Sequence, residues 1–164
     1  MMQIRKATTA DLEAILEIEN NSFDAERFNR RQLRYLITKA RGLFLVLEQE
    51  ERIAAYICMI RHSGHNNLRI YSIAVHPAYR GQKLGRLLVE QSVEYARQLQ
   101  LSVISLEVNT ENNTAIALYT QTGFIIKERL KRYYTNGGNA LRMVKNLHAL
   151  PENSTISDQE GIVT

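Results

Sequence analysis

A mixed α/β fold is what this sequence predicts, and three features carry that prediction. The run Ile70–Val75 is short, apolar and rich in β-branched and aromatic residues, and it stops at His76-Pro77 as a buried strand does. From Leu84 onward the apolar residues fall at Leu84, Leu87, Leu88, Tyr95 and Leu99, the one-sided stripe of a helix packed on a sheet. Segments of these two kinds succeed one another along the rest of the chain in the order β-α-α-β-β-β-α-β-α-β-β. At 164 residues, 45% hydrophobic and 23% charged, the chain suits one globular domain with a real core.

Gln3 to Ala7 alternates as a short strand, and Thr8, three residues before Asp11, heads a helix carrying Leu12, Ile15, Leu16 and Glu19. Asn29 with Gln32 marks a second helix start, and Leu33, Leu36 and Ile37 give that short basic helix one apolar face. The loop between them, Asn20 to Phe28, holds Phe23 and Phe28, which either pin it to the core or grip a substrate. Leu43–Leu47 and Ile53–Ile60 are β-rich runs joined across the polar tip Glu48–Arg52. Ser63–Asn67 is a turn. His62 and His65 beside it have no Cys or carboxylate at ligand spacing and read as exposed turn histidines, so no metal is expected. The single cysteine, Cys58, lies in an apolar run and reads as a buried structural thiol.

The turn Arg80-Gly81-Gln82-Lys83-Leu84-Gly85 joins the predicted strand to its helix. It places unpaired backbone N–H groups at the positive end of a helix, with Gly81 and Gly85 leaving room for close approach. Arg80, Lys83 and Arg86 add positive charge, which favours a diphosphate over a lone carboxylate. An ordinary turn with surface cations is the alternative.

Beyond that helix, Ser102–Val108 is a strand whose pleat puts Ile104, Leu106 and Val108 on one face and Val103, Ser105, Glu107 and Asn109 on the other. Asn112–Thr120 is a short helix with Ile116, Leu118 and Tyr119, and Thr122-Gly123-Phe124 supplies the glycine expected at its end. Strands at about Phe124–Tyr134 and Ala140–Leu147 flank the hairpin signal Thr135–Asn139.

Net charge is +4, yet the last 14 residues contain Glu152, Asp158 and Glu160 and no Lys or Arg, so the preceding 150 carry +7. That basic balance fits an anionic cofactor or an acidic protein surface. Nucleic acid is the weakest partner, because no run of five like charges occurs and the basic residues are not interleaved with aromatics. No apolar run reaches the ~18 residues of a membrane span, and the first 20 residues are charged, so a cytoplasmic protein without membrane contact is expected. Residues 1–150 are read as one domain and 151–164 as a flexible acidic tail.

The element order, the stretch IYSIAVHPAYRGQKLGRLL and the later block LEVNTENNTAIALYTQTGF together resemble the GNAT acetyltransferase superfamily over roughly residues 3–147. Leu106-Glu107-Val108, Asn112, Ala115–Tyr119, Gly123-Phe124 and Tyr133-Tyr134 are most similar to the bacterial enzymes that acetylate the N-terminal alanine of a ribosomal protein. The resemblance implies a central mixed β-sheet flanked by about four helices, with a C-terminal β-hairpin. It implies that acetyl-CoA binds with its diphosphate on Arg80, Gly81, Gln82, Lys83, Leu84, Gly85 and Arg86. Its pantetheine arm would lie against the backbone of Ile73, Ala74 and Val75, beside Asn112 and Tyr119. Glu107 would be the general base and Tyr119 the general acid, with Tyr133 and Tyr134 bordering the channel for a peptide N-terminus.

From the residues alone, Glu107 reads first as a salt-bridge partner and Tyr119 as core, and the resemblance is what reverses that order; Tyr133 and Tyr134 read equally as packing in a hairpin. Lys83 stands where the family usually has glycine, and a right-handed helical φ there would keep its N–H aimed at the phosphate. The expected activity is acetyl transfer from acetyl-CoA to a protein or peptide α-amine. A small-molecule amine acceptor and a non-catalytic CoA-binding module are the alternatives, and the oligomeric state is left open.

Overall fold

Eleven regular elements succeed one another in a computed structural model that describes residues 1–22, 28–39, 41–61 and 66–147. They are β1 (Met2–Lys6), α1 (Leu12–Ser22), α2 (Arg30–Thr38), β2 (Gly42–Gln49), β3 (Arg52–Arg61), β4 (Asn67–Val75), α3 (Leu84–Gln98), β5 (Val103–Asn109), α4 (Asn113–Gln121), β6 (Ile125–Leu130) and β7 (Ala140–Asn146). Their order is the one the sequence predicts. Local signals set the ends: Asn29 Oδ1 accepts from Gln32 N–H at 2.8 Å and so caps α2, while the Gly123 and Phe124 amides close α4 on Thr120 and Tyr119. Phe23, His62, His65 and the tail 151–164 lie outside the described residues.

The strands form one mixed sheet in the order β1-β2-β3-β4-β5-β7-β6. All neighbours are antiparallel except β4 and β5. The central strands β2 and β3 are nearly continuous apolar runs, and the pleat sends their successive side chains to two cores. Leu12, Ile15, Ile18 and Leu33 of α1 and α2 pack on Phe44, Val46, Tyr56 and Cys58. Leu84, Leu88 and Val89 of α3, with Tyr119 of α4, pack on Leu45, Ile57, Leu68, Ile104 and Leu106 from the other side. Each such side chain fully buried contributes about 1.5–3 kcal/mol.

Two irregularities position the site. On β3–β4, Cys58 pairs with Ser72 but Met59 pairs with Ile70, so Tyr71 is an extra, bulged residue. Ile70 and Ile73 consequently both join the α3-side core although they are three apart. The β4–β5 pairing covers only Asn67–Arg69 against Val103–Ser105, after which the strands are no longer bonded to each other.

The last hairpin departs from expectation. β6 ends at Leu130, so Tyr133 and Tyr134 stand in the connection and not in a strand. Arg132 takes a left-handed φ of 52°, and the Tyr134–Gly138 segment closes on itself through Tyr134 N–H to Gly138 O (3.1 Å) and Gly137 N–H to Tyr134 O (2.9 Å). Cys58 is buried as expected, and burial followed by the charge of Glu19 pushes its thiol up to about 12, which leaves it inert.

Candidate functional site

The predicted anion site sits at the start of α3. Gly81 has φ 85° and no atom within 4 Å of where a Cβ would stand, so its backbone is open to a ligand. A Cβ on Gly85 would meet Leu118 Cδ2 at 3.4 Å, which shows how closely α3 runs beside α4. Leu84 is 3% exposed and offers only its amide, while Gln82 is tied to the end of β2 by Gln49 Nε2 donating to its Oε1 at 3.2 Å. Arg80 folds back so that its Nε donates to Val75 O at 3.2 Å, which brings its guanidinium against the end of β4. Arg86 lies along α3, its Nε 3.3 Å from Glu90 Oε2. Lys83 corrects the expectation: it is the N-cap of α3 in the left-handed region, with φ 61° and ψ 29°. A glycine adopts that backbone freely, whereas a lysine pays about 1–2 kcal/mol for it.

Beside this turn runs the part of β4 that β5 leaves unpaired. Ile73, Ala74 and Val75 pair with Ile57, Tyr56 and Ala55 of β3 and, among the described residues, with no strand on the other edge, the Val75 carbonyl being held by Arg80. The free edge is a template for an extended ligand rich in amides. Asn112 caps α4 across the opening, its Oδ1 accepting from Ala115 N–H at 3.1 Å and its side-chain NH₂ remaining as a donor.

On the α1–α2 side of the same opening stands Glu107, its side chain 7% exposed between two arginines. Arg69 Nε donates to Oε1 at 2.8 Å and Arg142 Nε to Oε2 at 2.9 Å. Arg142 also donates to Glu128 Oε1 at 2.8 Å. The salt-bridge reading of Glu107 is therefore met, and a carboxylate oxygen such as Oε2 has the capacity to accept a further bond beside the one from Arg142. Arg69 NH2 reaches the Tyr133 hydroxyl at 3.1 Å, and its guanidinium carbon lies 5.0 Å from the centre of the Tyr71 ring. Phe28 also packs on Tyr71, ring centres 5.5 Å apart, and Tyr133 and Tyr134 meet edge to face at 5.0 Å. Of the two readings the sequence left open for Phe28, the structure shows the first: it packs against the α1–α2 core, with its ring on Tyr71.

Tyr119 belongs to the opposite core, 5% exposed and packed against Phe124. Burial, followed by the neighbouring Tyr134, holds its phenol above the ordinary tyrosine range, so it keeps its proton at neutral pH. Glu107 and Tyr119 therefore lie on opposite faces of the sheet. Arg69, Arg142 and Tyr71 were not singled out in the sequence. The alternation Leu68-Arg69-Ile70 does place Arg69 opposite the core face, but only the strand register names its partner. Among the described residues no three His, Cys, Asp or Glu side chains are grouped to hold a metal, and no helix is long and apolar enough to cross a membrane.

Set against known proteins, residues 11–124 match the acetyltransferase (GNAT) family. The chain is 28% identical over 137 residues to the N-alpha-acetyltransferase RimI of Mycobacterium tuberculosis, an alignment that spans 82% of each protein. It is 34% identical over 96 residues to N-alpha-acetyltransferase 30 of Saccharomyces cerevisiae, spanning 56% of this chain and 53% of that one. The crystal structure of the ribosomal-protein-S18-alanine N-acetyltransferase from Escherichia coli superposes with a TM-score of 0.80 and 28% identity, over 93% of this chain and 98% of the other.

Proposed function

The chain belongs to the acetyltransferase (GNAT) family and is an acetyl-CoA-dependent N-acetyltransferase, and we propose that the amine it acetylates is the α-amine of a protein or peptide N-terminus. The observation that carries this reading is the two-sided opening between β4 and β5, with Glu107 on one face and Tyr119 on the other. The names of the relatives support the acceptor class, and an N-terminus beginning with alanine, such as that of a ribosomal protein, is the first to try.

An α-amine has a pKa of about 7.7–8.0, so at neutral pH most of it is protonated and must lose a proton before it attacks. Glu107 accepts that proton through a water held at Oε2. The amine nitrogen then bonds to the thioester carbonyl carbon, the carbon–sulfur bond breaks, and Tyr119 gives its proton to the departing sulfur; the second proton shed by the nitrogen restores the Tyr119 phenol, and the proton taken by Glu107 passes to solvent. The Arg80–Arg86 turn holds the diphosphate on backbone N–H groups, assisted by Arg80 and Lys83. The free edge at Ile73–Val75 and the Asn112 amide line the arm, while Phe28, Tyr133 and Tyr134 border the acceptor channel.

A panel of peptides varied at their first two residues, run beside spermidine, an amino sugar and free amino acids, tests the reading. Mass spectrometry of the products locates the new acetyl group. Peptide α-amines are expected to turn over fastest. Faster turnover of any free amine than of every peptide overturns the proposal.

A further inference from the structure

Glu19, near the end of α1, is a carboxylate that the proposed chemistry leaves unused, yet it is only 1% exposed. Its Oε2 accepts the Phe28 N–H at 2.7 Å, and its Oε1 accepts the hydroxyl of Tyr56. Tyr56 is fully buried on β3, and its hydroxyl lies 2.9 Å from Ser72 Oγ. Ser72 directly follows the bulged Tyr71, whose ring is in contact with both the Phe28 ring and the Arg69 guanidinium. Two hydrogen-bonded arms from Glu19 therefore lead to the bulge, one through Phe28 to the Tyr71 ring and one through Tyr56 to Ser72. Taking a carboxylate out of water is unfavourable, and an apolar side chain would fill the same space with less penalty. Charge-assisted hydrogen bonds are strong and directional, which suits a group whose task is to fix geometry.

We infer that Glu19 is a positioning residue for the acceptor. It clamps Phe28 over Tyr71 and fixes the bulge, so that the face carrying Arg69 and Glu107 meets the incoming amine in one arrangement. The acceptor part of this inference rests on the function proposed above.

Glu19→Gln keeps an oxygen for the Phe28 N–H and an amide toward Tyr56, whereas Glu19→Ala removes both partners. Tyr56→Phe cuts only the arm to Ser72. Amide hydrogen exchange over residues 28–33, peptide KM and kcat, acetyl-CoA Kd and melting temperature are measured for all three. Losing a hydrogen bond to a charged group corresponds to a change of about tenfold or more. Glu19→Ala is thus expected to exchange about tenfold faster and to raise peptide KM by about tenfold, with acetyl-CoA Kd within about twofold of wild type. Glu19→Gln is expected to rescue both quantities. Unchanged exchange in Glu19→Ala overturns the clamp whatever the enzyme does. Faster exchange with unchanged peptide KM, or a parallel loss of acetyl-CoA affinity, overturns the positioning role. If Glu19→Ala does not fold, Tyr56→Phe is read on the same scale, and normal exchange over 69–75 with normal peptide KM overturns the inference. A wild-type protein that acetylates no peptide overturns the proposed acceptor and the positioning role with it, while the exchange data still decide the clamp.

Discussion

Glu107 and Arg142 stand directly opposite each other on β5 and β7, and Arg142 Nε donates to Glu107 Oε2 at 2.9 Å. With Arg69 on β4 and Glu128 on β6, they form a row of alternating charge across four adjacent strands. One carboxylate therefore holds the sheet together beside the opening and, by the function proposed, takes a proton there. The two tasks predict separable losses.

Glu107→Gln keeps the shape and removes the charge. It is expected to lower kcat by ~10²–10⁴-fold with little change in acetyl-CoA Kd. It is also expected to lower stability by about 2 kcal/mol, because two guanidiniums lose their partner. Arg142→Met shares the stability loss and keeps most of the turnover. Equal kcat values for the two variants at a temperature where both are folded would show that Glu107 acts only as a strut.

Tyr119→Phe removes a hydroxyl from an otherwise apolar setting, so stability and acetyl-CoA affinity are expected to hold while kcat falls by ~10²-fold or more. A burst of acetylated product with a normal steady-state rate would assign the proton donor elsewhere.

Replacing Lys83 by glycine relieves a left-handed N-cap at φ 61°. The strain removed is about 1–2 kcal/mol and the added chain entropy about 0.5–1, so a net gain of about 0.5–1 kcal/mol is expected in urea unfolding. Acetyl-CoA affinity should change little, since the backbone N–H stays. Arg80→Glu places a carboxylate at the end of β4 beside that turn and is expected to weaken binding far more. Calorimetry showing equal losses would shift the affinity from the amides to the side chains.

Stability is expected to fall in alkali. Burial pushes Cys58 from its usual 9.0 up to about 12 and holds Tyr119 above its usual range. In both cases the folded state keeps a proton that the unfolded chain releases sooner. Their contribution is complete below about pH 9 and is lost as pH rises toward the folded values, with a slope approaching 1.4 kcal/mol per pH unit for each group. Urea midpoints from pH 8 to pH 11 report the slope. Cys58→Ala should flatten it whatever its offset at pH 8, and an unchanged slope would remove Cys58 from the account.

What the sequence made legible was local. His76-Pro77 ends β4, Asn29 with Gln32 starts α2 and Gly123 closes α4, each through groups within a few residues of one another. The Arg80–Gly85 turn and the facing of Glu107 followed from the same short-range rules. The partners of Glu107 did not, because Arg69 and Arg142 are 38 and 35 residues away and meet it through strand register. The backbone of Lys83 was also hidden, since a left-handed lysine carries no mark in its identity, and so was the early end of β6, which an arginine with positive φ imposes.

The bulge at Tyr71 bears on how this scaffold can change. β4 holds one residue more than its neighbour β3 can match, and this extra residue comes just after Arg69, the last residue of β4 paired with β5. Substitutions along the rim can alter the acceptor while the bulge persists. Deleting Tyr71 would put β4 back in step with β3 and remove the ring on which Phe28 and Arg69 pack, reshaping the rim with every proposed catalytic side chain still present.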